Sequence, residues 1–301
     1  MRVAVADIGT NSTRLLIADV VDGRVVERER LLTITRLGDG VDHSGYLSEA
    51  AIDRVLAALR MYADHADAHR ANTRLAVATS AVRDATNRDA FLNAVCETSF
   101  QPRLLSGQDE AALTFAGVMS ASAATASTVV IDVGGGSTEL ILGGPGGVIS
   151  SCSLQAGCVR MSERYLRYEA VTPKALSACR AALQALLTTV PSTITTNAHT
   201  GIGVAGTATT AAAIALGLEE YDPALIHGAT VTRTAIGEQA RRLGAMTLAE
   251  REQVAGLEPE RAPVIVAGLI VLEAVLDHLA LSEITVSEFD ILQGAALSLI
   301  Q

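Results

Sequence analysis

Lysine is almost absent from this 301-residue chain: Lys174 stands alone against 22 arginines. That scarcity excludes several common phosphate chemistries. A Walker A loop needs Gly-Lys-Ser/Thr, but Lys174 follows Pro173 and precedes Ala175. Protein-kinase chemistry needs a strand lysine near a glycine-rich loop, and there is none. Schiff-base chemistry would rest on Lys174, at an apparent helix start. Cysteine is also sparse. Cys96, Cys152, Cys158 and Cys179 form no C-x-x-C pair and no metal spacing, and read as reduced thiols of a cytoplasmic protein. Long apolar runs are missing too. The longest uncharged one, Ala262 to Leu272, covers 11 positions, whereas a membrane-spanning helix needs about 20. Asp7 breaks the N-terminal apolar stretch and argues against a secretory signal.

Positive charge is in deficit. The net charge of -10 argues against a nucleic-acid binder held by bulk electrostatics. The deficit is uneven: residues 1–103 carry 13 arginines against 14 acids, and residues 104–301 carry 10 basic against 19 acidic groups. Cationic contacts to a polyanion would come from the nearly neutral first third. An apolar content of 49% with 19% charged residues excludes disorder, and the length suggests two domains.

The chain opens as a β-meander: Val3–Ala6, Ser12–Val20 and Arg24–Ile34, with Asp22-Gly23 as a hairpin signal. Apolar residues at helical period predict a helix over Glu49–Arg70. Leu75–Ala78 and Arg103–Leu105 read as strands, with a helix after Asn87. Ser106 predicts a helix cap, with Asp109 completing a capping box. The small, polar stretch from Ser120 to Thr128 reads as a boundary, after which the pattern restarts. Strands are expected at Val129–Ile131, Thr138–Leu142, Val148–Ser153, Ile202–Ala205 and Ile284–Ser287. Helices are expected from Thr172-Pro173, from Thr209, over Val264–Ala280 and from Ile291.

Two motifs carry less than they first suggest. Gly201-Ile-Gly203-Val-Ala-Gly206 spells G-x-G-x-x-G, but polar residues precede it and the next acids, Glu219 and Glu220, come too early for a dinucleotide site. A glycine turn between strand and helix is the better reading. His65 and His69 share a helix face, but with no third ligand in view they read as a solvated surface.

An internal repeat carries most of the information. Asp7-Ile-Gly9-Thr-Asn11-Ser12-Thr13-Arg14-Leu15 aligns with Asp132-Val-Gly134-Gly-Gly136-Ser137-Thr138-Glu139-Leu140 at a constant offset of 125, with five identities in nine positions. Each copy lies between two apolar strands. Glycine lets backbone N–H groups approach phosphate oxygens, and the hydroxyls add donors. An aspartate at the strand end can hold Mg²⁺ directly or through water. Ordinary hairpins need no matching aspartates or Ser-Thr pairs.

These two segments together resemble the exopolyphosphatase / guanosine pentaphosphate phosphohydrolase (Ppx/GppA) family. Ala78–Asn87, Ser106–Ala111, Gly157-Cys158-Val159-Arg160, Ala205-Gly206-Thr207 and Ser287-Glu288 match its other segments in order. Three positions depart from the pattern: Asp109 replaces a glutamate, Ala205 a glycine and Glu260 a frequent glycine. The resemblance implies an α/β fold of two ribonuclease-H-like domains of the actin-like ATPase superfamily around a central cleft. The domains are expected over 1–121 and 122–301, with the last helix, about 290–301, a candidate to pack back on the first. It implies Mg²⁺-dependent release of terminal orthophosphate from inorganic polyphosphate. The chain ends without the helical domain of longer members, which points toward short chains. Hydrolysis of guanosine pentaphosphate and an ATP-dependent small-molecule kinase remain open. Asn11, Ser12, Arg83, Gly135, Gly136 and Ser137 are the expected phosphate contacts. Asp7, Asp132 and Glu139 are the expected Mg²⁺ ligands, and Glu110, with Glu139 sharing the role, the water-activating acid. A cytoplasmic homodimer with no nucleic-acid or membrane partner is implied as well.

Overall fold

The computed structural model describes residues 1–121, 127–166 and 171–300. It divides into two compact units, Met1–Ser122 with Phe289–Gln301, and Ala123–Glu288. Most of the boundary segment read between Ser120 and Thr128 lies outside the described residues.

The first unit holds β1 (Arg2–Ile8), β2 (Ser12–Val21), β3 (Arg24–Ile34), β4 (Thr73–Ala78) and β5 (Gln101–Leu104), in the order β3-β2-β1-β4-β5. The first three strands are antiparallel, while β4 and β5 run parallel to β1. Between β2 and β3, Asp22 and Gly23 both take positive φ, as a two-residue turn matched to strand twist requires. The second unit holds β6 (Thr128–Val133), β7 (Thr138–Gly144), β8 (Gly147–Leu154), β9 (Thr200–Val204), β10 (Thr230–Thr232) and β11 (Glu283–Val286). Its order is β10-β11-β9-β6-β7-β8. Reading β8-β7-β6-β9-β11 reproduces the first sheet, with β10 added antiparallel at the edge. The nine-residue repeat is thus the sequence trace of a duplicated sheet.

Strand alternation sorts side chains onto two faces. Ala4, Ala6 and Ile8 of β1 pack with Leu15 and Ile17 of β2 and with Val55, Leu59 and Tyr62 of the helix Glu49–Ala68. Val3 and Val5 pack on the other face with Leu16, Ala18 and the final helix, Ile291–Ser298, through Ile291, Leu292, Ala295 and Ala296. That final helix meets the helix Gly107–Met119 backbone to backbone. A Cβ on Gly117 would lie 1.8 Å from the Asp290 carbonyl oxygen, and one on Gly294 equally close to that of Leu113. Only glycine permits both contacts. The second unit buries Val129, Ile131 and Val133 against the apolar helix Ile265–His278.

The structure differs from the sequence expectation around Gly201–Gly206. Gly201 and Gly203 lie inside β9, and the helix begins at Ala205, four residues before the expected Thr209. No glycine turn intervenes: Ala205 itself takes φ 62°. The short helix Ser80–Asp84 and the three-residue β10 escaped periodicity because each is too short to show one.

Candidate active site

The two duplicated turns share one register. Asp7 pairs with Arg14 and Ile8 with Thr13; Asp132 pairs with Glu139 and Val133 with Thr138. In each, the first glycine donates to the serine carbonyl: Gly9 N to Ser12 O and Gly134 N to Ser137 O, both at 3.0 Å.

What lies behind each turn fixes the direction of its N–H groups. In the first, Gly38 N donates to Thr10 O at 2.8 Å, and Thr35 N and Arg36 N donate to Asn11 O at 3.1 and 2.9 Å. In the second, Cys158 N donates to Gly134 O at 2.9 Å, and Val159 N and Arg160 N donate to Gly135 O at 2.9 and 3.1 Å. The buried Arg160 guanidinium adds a bond from Nε to Gly136 O at 2.7 Å. No peptide bond among the described residues is cis, and in a trans peptide C=O and N–H point in opposite directions. The N–H groups of Asn11 and Ser12, and of Gly135, Gly136 and Ser137, therefore point away from the backing segments. Successive N–H groups aimed one way form an anion-binding nest. The buried Nδ2 of Asn11 has no hydrogen-bond partner, and a buried donor without an acceptor is costly unless a ligand supplies one.

In the first unit the structure brings Arg83, Glu110 and the Thr10–Ser12 turn together. Arg83 Nη1 donates to Glu110 Oε2 at 2.7 Å and to Leu105 O at 2.9 Å. Ser80, on Arg83's short helix, shares a 3.0 Å hydrogen bond with Thr10 of the turn. Glu110 lies one residue beyond the Ser106–Asp109 capping box, in the first turn of the helix Gly107–Met119, and is 7% exposed. Burial raises the Glu110 carboxyl above the usual range; the Arg83 bond opposes this, and the Asp7 charge adds to it.

Asp7 is ion-paired across the ribbon. Its Oδ2 accepts from Arg14 Nε at 3.0 Å and Nη2 at 2.6 Å, and Arg14 also bonds Asp290, the cap of the final helix. Burial raises the Asp7 carboxyl, and Arg14 opposes the rise. Burial also opposes the Arg14 charge, but Asp290 and Asp7 outweigh it and hold the guanidinium above its ordinary pKa.

The second unit differs at the matching position. Where the first turn pairs Asp7 with an arginine, the second opposes two buried acids, Asp132 and Glu139, on one ribbon face. Ser153 Oγ donates to Glu139 Oε1 at 2.7 Å. Among the described residues no three His, Cys, Asp or Glu side chains converge as a metal cage. Mg²⁺ is usually held by one or two carboxylates with waters and substrate phosphates, and the Asp132–Glu139 pair is a donor set of that kind.

Sequence reasoning missed Arg14, Asp290 and the role of Arg160. Arg14 was signalled inside the repeat, as the arginine opposite Glu139. Asp290's pairing with Arg14 had no local signal, because the two lie 276 residues apart. His65 and His69, read as surface, both approach Glu29, at 3.0 and 3.1 Å.

Residues 4–301 match the family model described as the Ppx/GppA phosphatase family. The chain is 40% identical over 317 residues to Exopolyphosphatase 2 of Mycobacterium tuberculosis, covering 99% of this chain and 98% of the relative. It is 28% identical to a guanosine-5'-triphosphate,3'-diphosphate pyrophosphatase of Vibrio atlanticus, covering 99% of this chain and 59% of that one. Among solved structures, an exopolyphosphatase from Cytophaga hutchinsonii superposes with a TM-score of 0.91 at 26% identity, covering 100% of this chain and 98% of that one. An Aquifex aeolicus Ppx/GppA protein gives a TM-score of 0.83 at 29% identity, covering 100% and 97%.

Proposed function

The chain belongs to the Ppx/GppA phosphatase family, and on that premise we propose that it hydrolyses terminal orthophosphate from inorganic polyphosphate. The observation that carries this reading is the pairing of the first phosphate turn with a buried, arginine-bonded Glu110. Phosphoryl transfer asks little covalent chemistry of a protein; it asks for charge neutralisation and an oriented nucleophile.

Each residue then has a task. N–H groups of Asn11, Ser12, Gly135, Gly136 and Ser137 donate to phosphate oxygens, and Asn11 Nδ2 gains the acceptor it lacks. Arg83 holds Glu110 and offers its fork to phosphate. Glu110 orients the attacking water and accepts its proton. A carboxylate with a raised pKa keeps that proton more readily near neutrality than an ordinary one. Asp132 and Glu139 would hold Mg²⁺, which supplies neutralisation of charge on phosphate oxygens when bound. Asp7, already held by Arg14, sets the field around Glu110.

No helix among the described residues is long and apolar enough to cross a membrane. The reading also takes the enzyme as a cytoplasmic homodimer, on the family resemblance and four free cysteines. The guanosine pentaphosphate reading rests on the Vibrio atlanticus relative and on the same phosphoanhydride chemistry. The test is orthophosphate release from tripolyphosphate, long polyphosphate, guanosine pentaphosphate and ATP, each with and without Mg²⁺. Fastest Mg²⁺-dependent release from a polyphosphate, short or long, supports the proposal. Preference for guanosine pentaphosphate supports the second reading. ADP formation only with an added acceptor overturns both in favour of a kinase.

A further inference from the structure

Arg160 has no counterpart in the first turn, and this asymmetry has a chemical consequence. In the first turn the carbonyl of Asn11 is held by two backbone donors, Thr35 N and Arg36 N. At the offset of 125, the matching carbonyl of the second turn belongs to Gly136. The backbone donors behind that turn are engaged one or two residues earlier, on Gly134 and Gly135. Gly136 O is held instead by a side chain, Arg160 Nε at 2.7 Å.

The peptide that Arg160 holds is the one whose N–H belongs to Ser137. Were that peptide to rotate, the Ser137 N–H would leave the nest and the Gly136 carbonyl would take its place, turning a donor into an acceptor. Glycine is the residue most open to such rotation, since it populates positive and negative φ about equally. A turn of Gly134-Gly135-Gly136 therefore depends on its backing far more than Gly9-Thr10-Asn11 does. The backing is seated closely. A Cβ on Gly157 would fall 2.3 Å from the carbonyl carbon and oxygen of Gly135, so a residue with any side chain would push the 157–160 segment off the turn. Arg160 is 9% exposed, so its guanidinium is held within the fold rather than swinging in solvent.

We propose that Arg160 is a positioning residue for phosphate binding: its guanidinium fixes the Gly136–Ser137 peptide so that the second turn presents three N–H donors instead of two donors and an opposing carbonyl. The inference rests on the reading of this turn as a phosphate site, and its test separates the two. Arg160→Met keeps the bulk of the stem and removes the donor.

The probes are inorganic phosphate, binding measured by calorimetry, and tripolyphosphate, turnover measured as phosphate release. For Arg160→Met, kcat/KM is expected to fall by about a hundredfold, the scale set by losing one preorganised donor, with a parallel loss of phosphate affinity. In Arg160→Ala, where the side chain's space is vacated, millimolar guanidinium should restore both by donating to Gly136 O; tetramethylammonium, which has no N–H, should not. Arg160→Lys, which keeps one donor and the charge, should lie between wild type and Arg160→Met, and serves if the methionine variant does not fold. Phosphate affinity and kcat/KM within about twofold of wild type overturn the proposal. So does a loss that guanidinium leaves unrestored in Arg160→Ala when its melting temperature is unchanged. Wild-type protein that binds phosphate but leaves tripolyphosphate intact refutes the substrate reading alone, and the calorimetric comparison still decides on Arg160.

Discussion

Replacing Arg14 by methionine isolates the ionic network beneath the first turn. Arg14 is the shared partner of Asp7 and Asp290, whose side chains are 9% and 4% exposed. Removing it leaves two buried carboxylates without their countercharge. Breaking a buried pair in this way costs about 3–5 kcal/mol, because the abandoned charge stays desolvated. At about 2–4 °C per kcal/mol for a fold of this size, the melting temperature should drop by roughly 6–20 °C at pH 7. The pH dependence gives the sharper test. Asp7 already has a folded-state pKa above its unfolded value, driven by burial and opposed by Arg14. Losing Arg14 raises it further. A carboxyl with a raised folded pKa stabilises the fold below its unfolded pKa and loses that contribution as pH rises through the folded value. The penalty of Arg14→Met should therefore be largest at neutral pH and shrink as pH falls toward 4, because a protonated Asp7 needs no countercharge. Urea unfolding of wild type and variant at pH 7 and pH 5 measures it, with the wild type cancelling every other titrating group. A penalty below about 1 kcal/mol, or one that grows on acidification, would refute the network as described.

Two further outcomes follow from local geometry. Ala205 holds φ 62° at the start of its helix, a conformation costing an L-residue about 1–2 kcal/mol; Ala205→Gly should stabilise by about 0.5–1 kcal/mol after glycine's extra chain entropy is subtracted, and a lowered melting temperature would contradict it. Glu110 acts ionised, so kcat/KM should fall on the acid side as pH passes down through its raised pKa; Arg83→Gln removes the group opposing that rise and should move the acid limb to higher pH. An acid limb that stays in place would detach Arg83 from Glu110.

Much of this molecule was legible because duplication writes the same chemistry twice. The repeat from Asp7 to Leu15 and from Asp132 to Leu140 located both phosphate turns, and the structure gives them the same strand register. The Ser106 capping box located the helix that carries Glu110, because caps are local hydrogen-bond patterns that sequence spacing reveals. What escaped is non-local or too short. The Asp290 contact to Arg14 closes a loop of nearly the whole chain, and no periodicity reports such a pairing. Arg160's task depends on which carbonyl its guanidinium meets, a question of peptide orientation rather than residue type. The helix start at Ala205 was misplaced because glycine was expected to make the bend, whereas alanine takes the left-handed conformation there. Asp7, grouped from its repeat position with the Mg²⁺ ligands, proves to be neutralised by its cross-strand neighbour. Of the four differences between the two copies, Arg14 against Glu139 is the one that reverses charge.

The account stands most directly on Glu110. Orthophosphate release from tripolyphosphate by wild type and Glu110→Gln, alongside calorimetric binding of inorganic phosphate, tests it in one comparison. Loss of about a hundredfold or more in kcat with phosphate binding retained is expected of an acid that acts on water. Turnover by Glu110→Gln within about tenfold of wild type, roughly 1.4 kcal/mol of barrier, would remove Glu110 from the chemistry.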